Sequence, residues 1–259
     1  MAWPLLAILG PAVSGCTPIG SEASGITAPA GPIVRSDGQR VLIEDNSDLL
    51  SFEYSYPRID DRLPALLAHI DADRRERHEE SLGYAREDMA EREKSGFPFN
   101  GHYFHKDWSI VASTQKLLVL SAGFEGYSGG AHGYHAVASL FWDQAKDREV
   151  GLSELMDVDR LQQLTREDYC TALNAERARR RGTPAPPGSD DMFEDCPAYD
   201  DLVIFPVQGE SGDNDTMMFI ATEYVAGPYA EGEYAIELPI SPAVLSAMAP
   251  DYRDGFEAR

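Results

Sequence analysis

The sequence predicts an α+β fold with antiparallel sheets, a long helix in its N-terminal part and a short closing helix near its C-terminus. Two observations carry this. Runs with the period-two alternation of half-buried strands come in clusters, and helical stretches stand between the clusters. No repeat of solenoid type is present.

"RVLIEDN" (40–46) and "LLSFEYSYP" (49–57) open the folded part as two short strands. In the second, Phe52, Tyr54 and Tyr56 alternate with polar neighbours, and Pro57 stops the run. Leu63, Leu66, Leu67 and Ile70 then fall at i, i+3, i+4 and i+7, with Pro64 tolerable in a first helical turn. The helix continues through "DADRRERHEESLGYAREDMAEREK" with a solvated face, where Leu82, Tyr84 and Met89 can touch a core. Arg74, Arg75 and Arg77 lie among acids, which argues against a nucleic-acid surface. Gly96 and Pro98 end the helix. "DWSIVAST", "KLLVLSAGFEGYS" and "GYHAVASLFWD" read as strands, followed by a hairpin turn from Asp143 to Arg148. The stretch 150–181 reads as helix, with Leu161, Leu164, Tyr169 and Leu173 as core candidates, and "GTPAPPG" breaks it. "TMMFIATEYV" and "GEYAIELPI" form a final antiparallel pair. Ser241 and Pro242 then cap and start a short helix through Met248.

The chain has 259 residues, 43% of them hydrophobic and 25% charged, which suits one larger core or two small ones. Its formal net charge is −22. Such a polyanion repels nucleic acid and anionic lipid, and steers cationic proteins toward itself, raising on-rates roughly 10- to 1000-fold at low salt. Solubility alone is the competing explanation. Residues 182–252 hold 14 Asp or Glu and no Lys or Arg.

"MAWPLLAILGPAVSGC" is uncharged and too short to span a bilayer, but it suits the apolar part of a signal peptide. Small residues before Cys16 resemble a bacterial lipobox, so residues 1–16 are expected to be a lipoprotein signal peptide with Cys16 as the lipidation site. The usual basic residues before the apolar run are missing, which leaves an uncleaved core segment as the alternative. Residue 17 is Thr rather than the Asp associated with inner-membrane retention, so the expected location is the cell envelope, on the outer membrane facing the periplasm in a host with two membranes. Residues 17–38 read as a flexible linker, 39–112 as a small α+β domain and 113–252 as a C-terminal α+β domain. Cys170 and Cys196 remain as an even pair in an exported chain, so a disulfide is expected, two unrelated buried thiols being the alternative.

The loop "EGYSGGAHGYH" (125–135) admits three readings. Gly126 to Gly130 matches G-x-S-x-G, yet no helix pattern follows and no histidine occurs after His135, so a hydrolase triad in the usual order lacks its base. His102 and His105, with His132 and His135, could offer four imidazoles to zinc, but positions i and i+3 on a strand point to opposite faces. In the third reading the glycines shape a tight loop that presents Tyr127, His132 and Tyr134 on a rim, against the plainer one in which they only make the turn. No catalytic residue, metal ligand or cofactor is assigned.

"YSGGAHGYHAVASLFWDQAKDREVGLSEL" and "TEYVAGPYAEGEYAIELPISPAVLSAM" resemble two stretches of an exported domain of unknown function. That domain is shared by lysozyme-sensing anti-sigma factors of the RsiV type and peptidoglycan deacetylases of the PdaC type. The resemblance covers about residues 40–250, with 40–110 similar to the smaller domain that accompanies it. It rests on Gly129, Gly130, Ala131 and His132 and on Pro228, Tyr229 and Gly232. It implies an α+β fold, an envelope setting and an ability to bind lysozyme or a related envelope ligand. The chain shows neither a sigma-binding segment with a membrane-spanning helix nor the metal-binding motifs of a polysaccharide deacetylase, so neither activity is expected. The expected function is that of a lipid-anchored envelope protein that binds a cationic protein such as lysozyme, or peptidoglycan fragments. Its ligand-binding residues would be Tyr127, Gly129, Gly130, His132, Tyr134, Pro228 and Tyr229, and its membrane contact the lipid anchor only. An envelope hydrolase or metal-dependent enzyme acting on peptidoglycan fragments is the alternative, and a purely structural lipoprotein a third possibility.

Overall fold

The computed structural model describes residues 32–183 and 193–259. The expected signal peptide, with Cys16, and the first part of the expected linker lie outside the described residues. Seven strands form one sheet in sequence order: β1 (Ile33–Ser36), β2 (Arg40–Asn46), β3 (Leu50–Pro57), β4 (His102–Ser113), β5 (Leu117–Tyr127), β6 (Tyr134–Asp143) and β7 (Arg148–Val150). All neighbours are antiparallel except β3 and β4, which run parallel because the long helix α1 (Pro64–Ser95) returns the chain between them. Three further strands, β8 (Val203–Val207), β9 (Thr216–Ala221) and β10 (Tyr234–Pro239), form a second, antiparallel sheet.

The period of two in β5 divides the protein into layers. Leu118, Leu120 and Ala122 face α1 with Phe52, Tyr54, Phe104 and Trp108, in a core that includes Leu66 and Ile70. Leu117 and Val119 face the opposite way, into a core made with the second sheet and a further helix, α3 (Val158–Arg181). Pro64 starts α1, and Gly96 in the left-handed region ends it, its N–H bonding back to the last turn. The expected 150–181 helix is divided into α2 (Leu152–Leu155) and α3, since Asp157 caps α3 through Arg160 N and Met156 bridges to Met248. Helix α4 (Pro242–Ala247) is capped by the Ser241 hydroxyl as its sequence indicates, and α5 (Pro250–Arg253) follows. Leu82 and Met89 pack on the α1-side core, whereas Tyr84 is half exposed.

Two expectations change. Ile33–Ser36, assigned to the linker, pairs with β2 as an exposed edge strand; backbone hydrogen bonds suffice there, so no burial pattern marks it. The expected division at 112/113 falls inside β4, and the β4–β5 hairpin carries one continuous sheet across it.

Cys170 on α3 and Cys196 are bonded, with Cα atoms 5.7 Å apart. The bridge spans 26 residues of sequence, and a loop of that size loses chain entropy worth about 3–4 kcal/mol in the unfolded state. The Cys170→Ser, Cys196→Ser double variant is therefore expected to lose about that much stability in urea unfolding; an unchanged midpoint would contradict it.

Candidate functional site

A single row of side chains crosses the sheet on the face away from α1. Glu44 pairs with Glu53, Glu53 with His105, His105 with Glu125 and Glu125 with His135 in the register of β2 to β6. Their side chains meet: His105 Nδ1 lies 3.3 Å from Glu125 Oε1, and His135 Nε2 lies 3.4 Å from Glu125 Oε2. Beyond the sheet, Glu223 accepts from the His135 backbone N–H at 3.4 Å and faces His135 Nδ1 at 2.8 Å. One residue on, Tyr224 has a φ of 66°, an uncommon conformation for a residue with a side chain.

Glu53, His105, Glu125, His135 and Glu223 line a cavity of about 780 Å³ between the sheet and the segment 223–233. Its carboxylates are Glu53, Asp107, Glu125, Glu223, Glu231 and Glu233. Asp107 is paired with Arg40, and Glu231 with Arg181 at 2.8 Å. The Arg181 hydrogen bond holds the Glu231 carboxyl below its ordinary range. Arg180 donates to the Glu231 and Glu233 carbonyls at 2.7 Å, and Arg177 to the Ala226 carbonyl at 2.9 Å, so α3 carries the far wall.

The two segments singled out in the sequence converge. The His132 and Tyr229 rings lie 4.0 Å apart, and His135 and Tyr224 also border Tyr229. Pro228 caps the short 3-10 turn Tyr229–Glu231 that brings Tyr229 there. Gly129 and Gly130, both with φ of 94°, turn the β5–β6 loop. Tyr127 donates to the Gly130 carbonyl at 3.2 Å.

The expected rim is nevertheless divided. Tyr134 lies on the α1 side of β6, and with Tyr127 it lines a separate cavity of about 200 Å³ bordered by Tyr84, Tyr103, Phe124 and Glu80. Alternation along the strand places Tyr134 and His135 on opposite faces. Burial and the Glu80 carboxylate push the Tyr134 phenol up from its ordinary value. The strand–loop–strand path through Ser128 is a hairpin, without the helix that a nucleophile elbow requires. The four histidines are dispersed: His102 is buried on the α1 side against Asp88, His105 and His135 face the large cavity, and His132 stands on the loop. Among the described residues, no three His, Cys, Asp or Glu side chains are placed to hold one metal ion. No helix of the described residues is long and apolar enough to cross a membrane.

Glu53, His105, Glu125, His135 and Glu223 were not assigned a role from the sequence. Each strand contributes only one of them and Glu223 comes from a loop, so no local spacing marks the row, which depends on register between strands.

Residues 43–135 match the family model described as "Deacetylase PdaC". That stretch is therefore similar to a PdaC-type domain. Such domains are associated with the cell envelope. The match spans β3, α1, β4 and β5, and so includes Glu53, His105, Glu125 and His135 but not Glu223 or Tyr229. A DUF3298-family structure from Pseudomonas aeruginosa shares the fold at 12% identity, with a TM-score of 0.52 over 88% of this chain and 96% of that one. A DUF3298-family member from Bacteroides fragilis aligns at 17% identity over 87% of this chain and 94% of that one, with a TM-score of 0.49. No curated protein matches the chain.

Proposed function

We propose that this PdaC-like domain is the binding part of a lipid-anchored envelope protein, held by Cys16, and that its large cavity receives a basic segment of a cationic, lysozyme-like hydrolase. The observation that carries the reading is the concentration of six carboxylates around one cavity of about 780 Å³ in a chain of net charge −22. The field of the whole chain steers a basic partner, and the cavity supplies local counter-charges. Tyr229, tilted against His132 at the rim, offers a rigid ring with a polar tip for contact.

The test is a pull-down and an inhibition assay with lysozyme at low and moderate salt. Binding is expected at low salt and should weaken several-fold as screening rises. Glu125→Gln with Glu223→Gln should slow association by a similar factor. Absence of binding at low salt would overturn the reading.

A second reading is favoured by one feature, the Glu223–His135–Glu125–His105 chain. Glu223 grips residue 135 by both backbone and ring, which orients His135 as an acid or base. In this reading the cavity hydrolyses peptidoglycan fragments. Release of soluble sugar or peptide products, lost in His135→Gln, would select it over pure binding.

A further inference from the structure

The sheet face that packs on α1 holds two aromatic compartments in series. In the first, the Lys106 ammonium lies 4.6 Å from the Trp108 ring centroid, 5.5 Å from Phe124 and 5.9 Å from Tyr54. Asp73 of α1, 2.7 Å away, is its counter-charge. The second is the cavity of about 200 Å³ toward the β5–β6 loop, which shares the Phe124 wall and adds Tyr84, Phe104 and Tyr134. Glu80 borders it. Asp73 and Glu80 are seven residues apart, two turns along one face of the helix. The arrangement of rings plus one helix carboxylate therefore occurs twice, and the chain's own lysine shows which chemistry the first copy accepts.

The second compartment is built by its glycines. A Cβ on Gly126 would stand 2.5 Å from the Tyr134 hydroxyl, and one on Gly133 would stand 2.7 Å from the Tyr103 hydroxyl. Glycine at these two positions lets both phenols seat against the backbone. Tyr84 and Tyr134 remain 51% and 39% exposed, leaving the compartment open to solvent. Arg77 also borders it, but its guanidinium is engaged by Glu80 at 2.6 Å, Asp73 at 3.6 Å and Glu76 at 3.7 Å, so its charge is offset locally.

We propose that this second compartment binds an alkylammonium cation, as the first holds Lys106. Ring faces carry the negative part of the aromatic quadrupole and attract an ammonium placed over them, and Glu80, which also pairs with Arg77, borders them from α1. The chain's net charge of −22 raises the local concentration of cations at its mouth. The site is separate from the large acidic cavity and does not depend on the function proposed for it.

The experiment titrates the full chain with choline chloride, with n-butylammonium chloride, and with 3,3-dimethylbutan-1-ol, the neutral carbon isostere of choline. Ionic strength is held constant, and the amide resonances of Gly126 and Gly133 are followed. Saturable shifts are expected with a cation, the tighter of the two distinguishing a methylated from a primary ammonium. The neutral isostere should bind at least about tenfold more weakly. Tyr134→Leu and Glu80→Gln should each weaken binding roughly tenfold, and Tyr134→Phe should retain it. Glu80 is a surface side chain, so its variant keeps the test open if Tyr134→Leu loses its melting transition. Equal binding of the neutral isostere, no saturable shift with either cation, or full affinity in Glu80→Gln would each overturn the proposal.

Discussion

Replacing Arg177 by alanine is expected to lower the unfolding free energy by about 4 kcal/mol. Its guanidinium is 2% exposed and meets neutral acceptors: the Ala226 carbonyl at 2.9 Å, Asn174 Oδ1 at 3.0 Å, and the Glu194 and Asp195 carbonyls at 3.2 and 3.1 Å. Burial pulls its pKa down from the ordinary arginine value. Removing the side chain leaves the buried Ala226 carbonyl without its donor, worth about 1–3 kcal/mol, takes the donor from the part-buried Glu194 and Asp195 carbonyls, and opens a cavity in the α3-side core. Relief of the buried charge offsets part of this. Arg177→Lys keeps a charge but cannot reach all four acceptors, and should fall between wild type and alanine. Urea midpoints for the three proteins check the order. Because Ala226 belongs to the segment that walls the large cavity, Arg177→Ala should also loosen that wall, seen as faster amide exchange over residues 223–233.

Asp73→Ala is expected to cost about 3–5 kcal/mol, because it leaves the Lys106 ammonium buried without its partner. Asp73 also accepts from the Tyr54 hydroxyl at 2.6 Å, and Tyr54 in turn accepts from Trp108 Nε1 at 2.7 Å. Asp73→Leu combined with Lys106→Met should recover much of the loss, since an apolar pair of similar volume removes the desolvation cost along with the attraction. The pair also sets a pH dependence. Burial raises the Asp73 carboxyl, but the hydrogen bonds from Lys106 and Tyr54 outweigh it, and the net shift is downward from 3.8. Its stabilisation is therefore complete above that unfolded value and is lost as pH falls through the lower folded one. Burial lowers Lys106 despite the same hydrogen bond, a cost at neutral pH that is relieved as pH rises toward 10.5. The partners' shifts thus differ in meaning, yet both make stability rise with pH. At 2.7 Å the ion pair governs the acid side. Wild type should lose more stability than Asp73→Ala on acidification below about pH 4; parallel curves would contradict the assignment.

Much of the fold was legible because burial imposes its period on the sequence. Phe52 and Tyr54 mark β3, Leu66 and Ile70 mark the buried stripe of α1, and Ser241-Pro242 marks the start of α4. The strand β1 was not legible, since its four residues are all exposed and it is held by backbone pairing. The parallel pairing of β3 with β4 was hidden too, because alternation reports which face a residue occupies and not the direction of its neighbour. In the site, the convergence of His132 with Tyr229 was readable only through resemblance to a known domain. Tyr127 and Tyr134 were expected on the same rim and instead border the α1-side cavity.

By itself the sequence determined composition-level properties and local periods: a net charge of −22, the amphipathic faces, the helix caps, and glycines where the backbone must turn or be approached closely. These depend on side chains near in the chain and on the solvent they avoid. Tertiary structure alone decided that Glu53, His105, Glu125 and His135 form one row, that Glu223 closes it from another sheet's loop, and that Lys106 finds Asp73. Each of those pairings joins residues 20 or more positions apart, except within the β5–β6 hairpin. Strand register and layer packing bring them together, and neither is written in any local stretch of the chain.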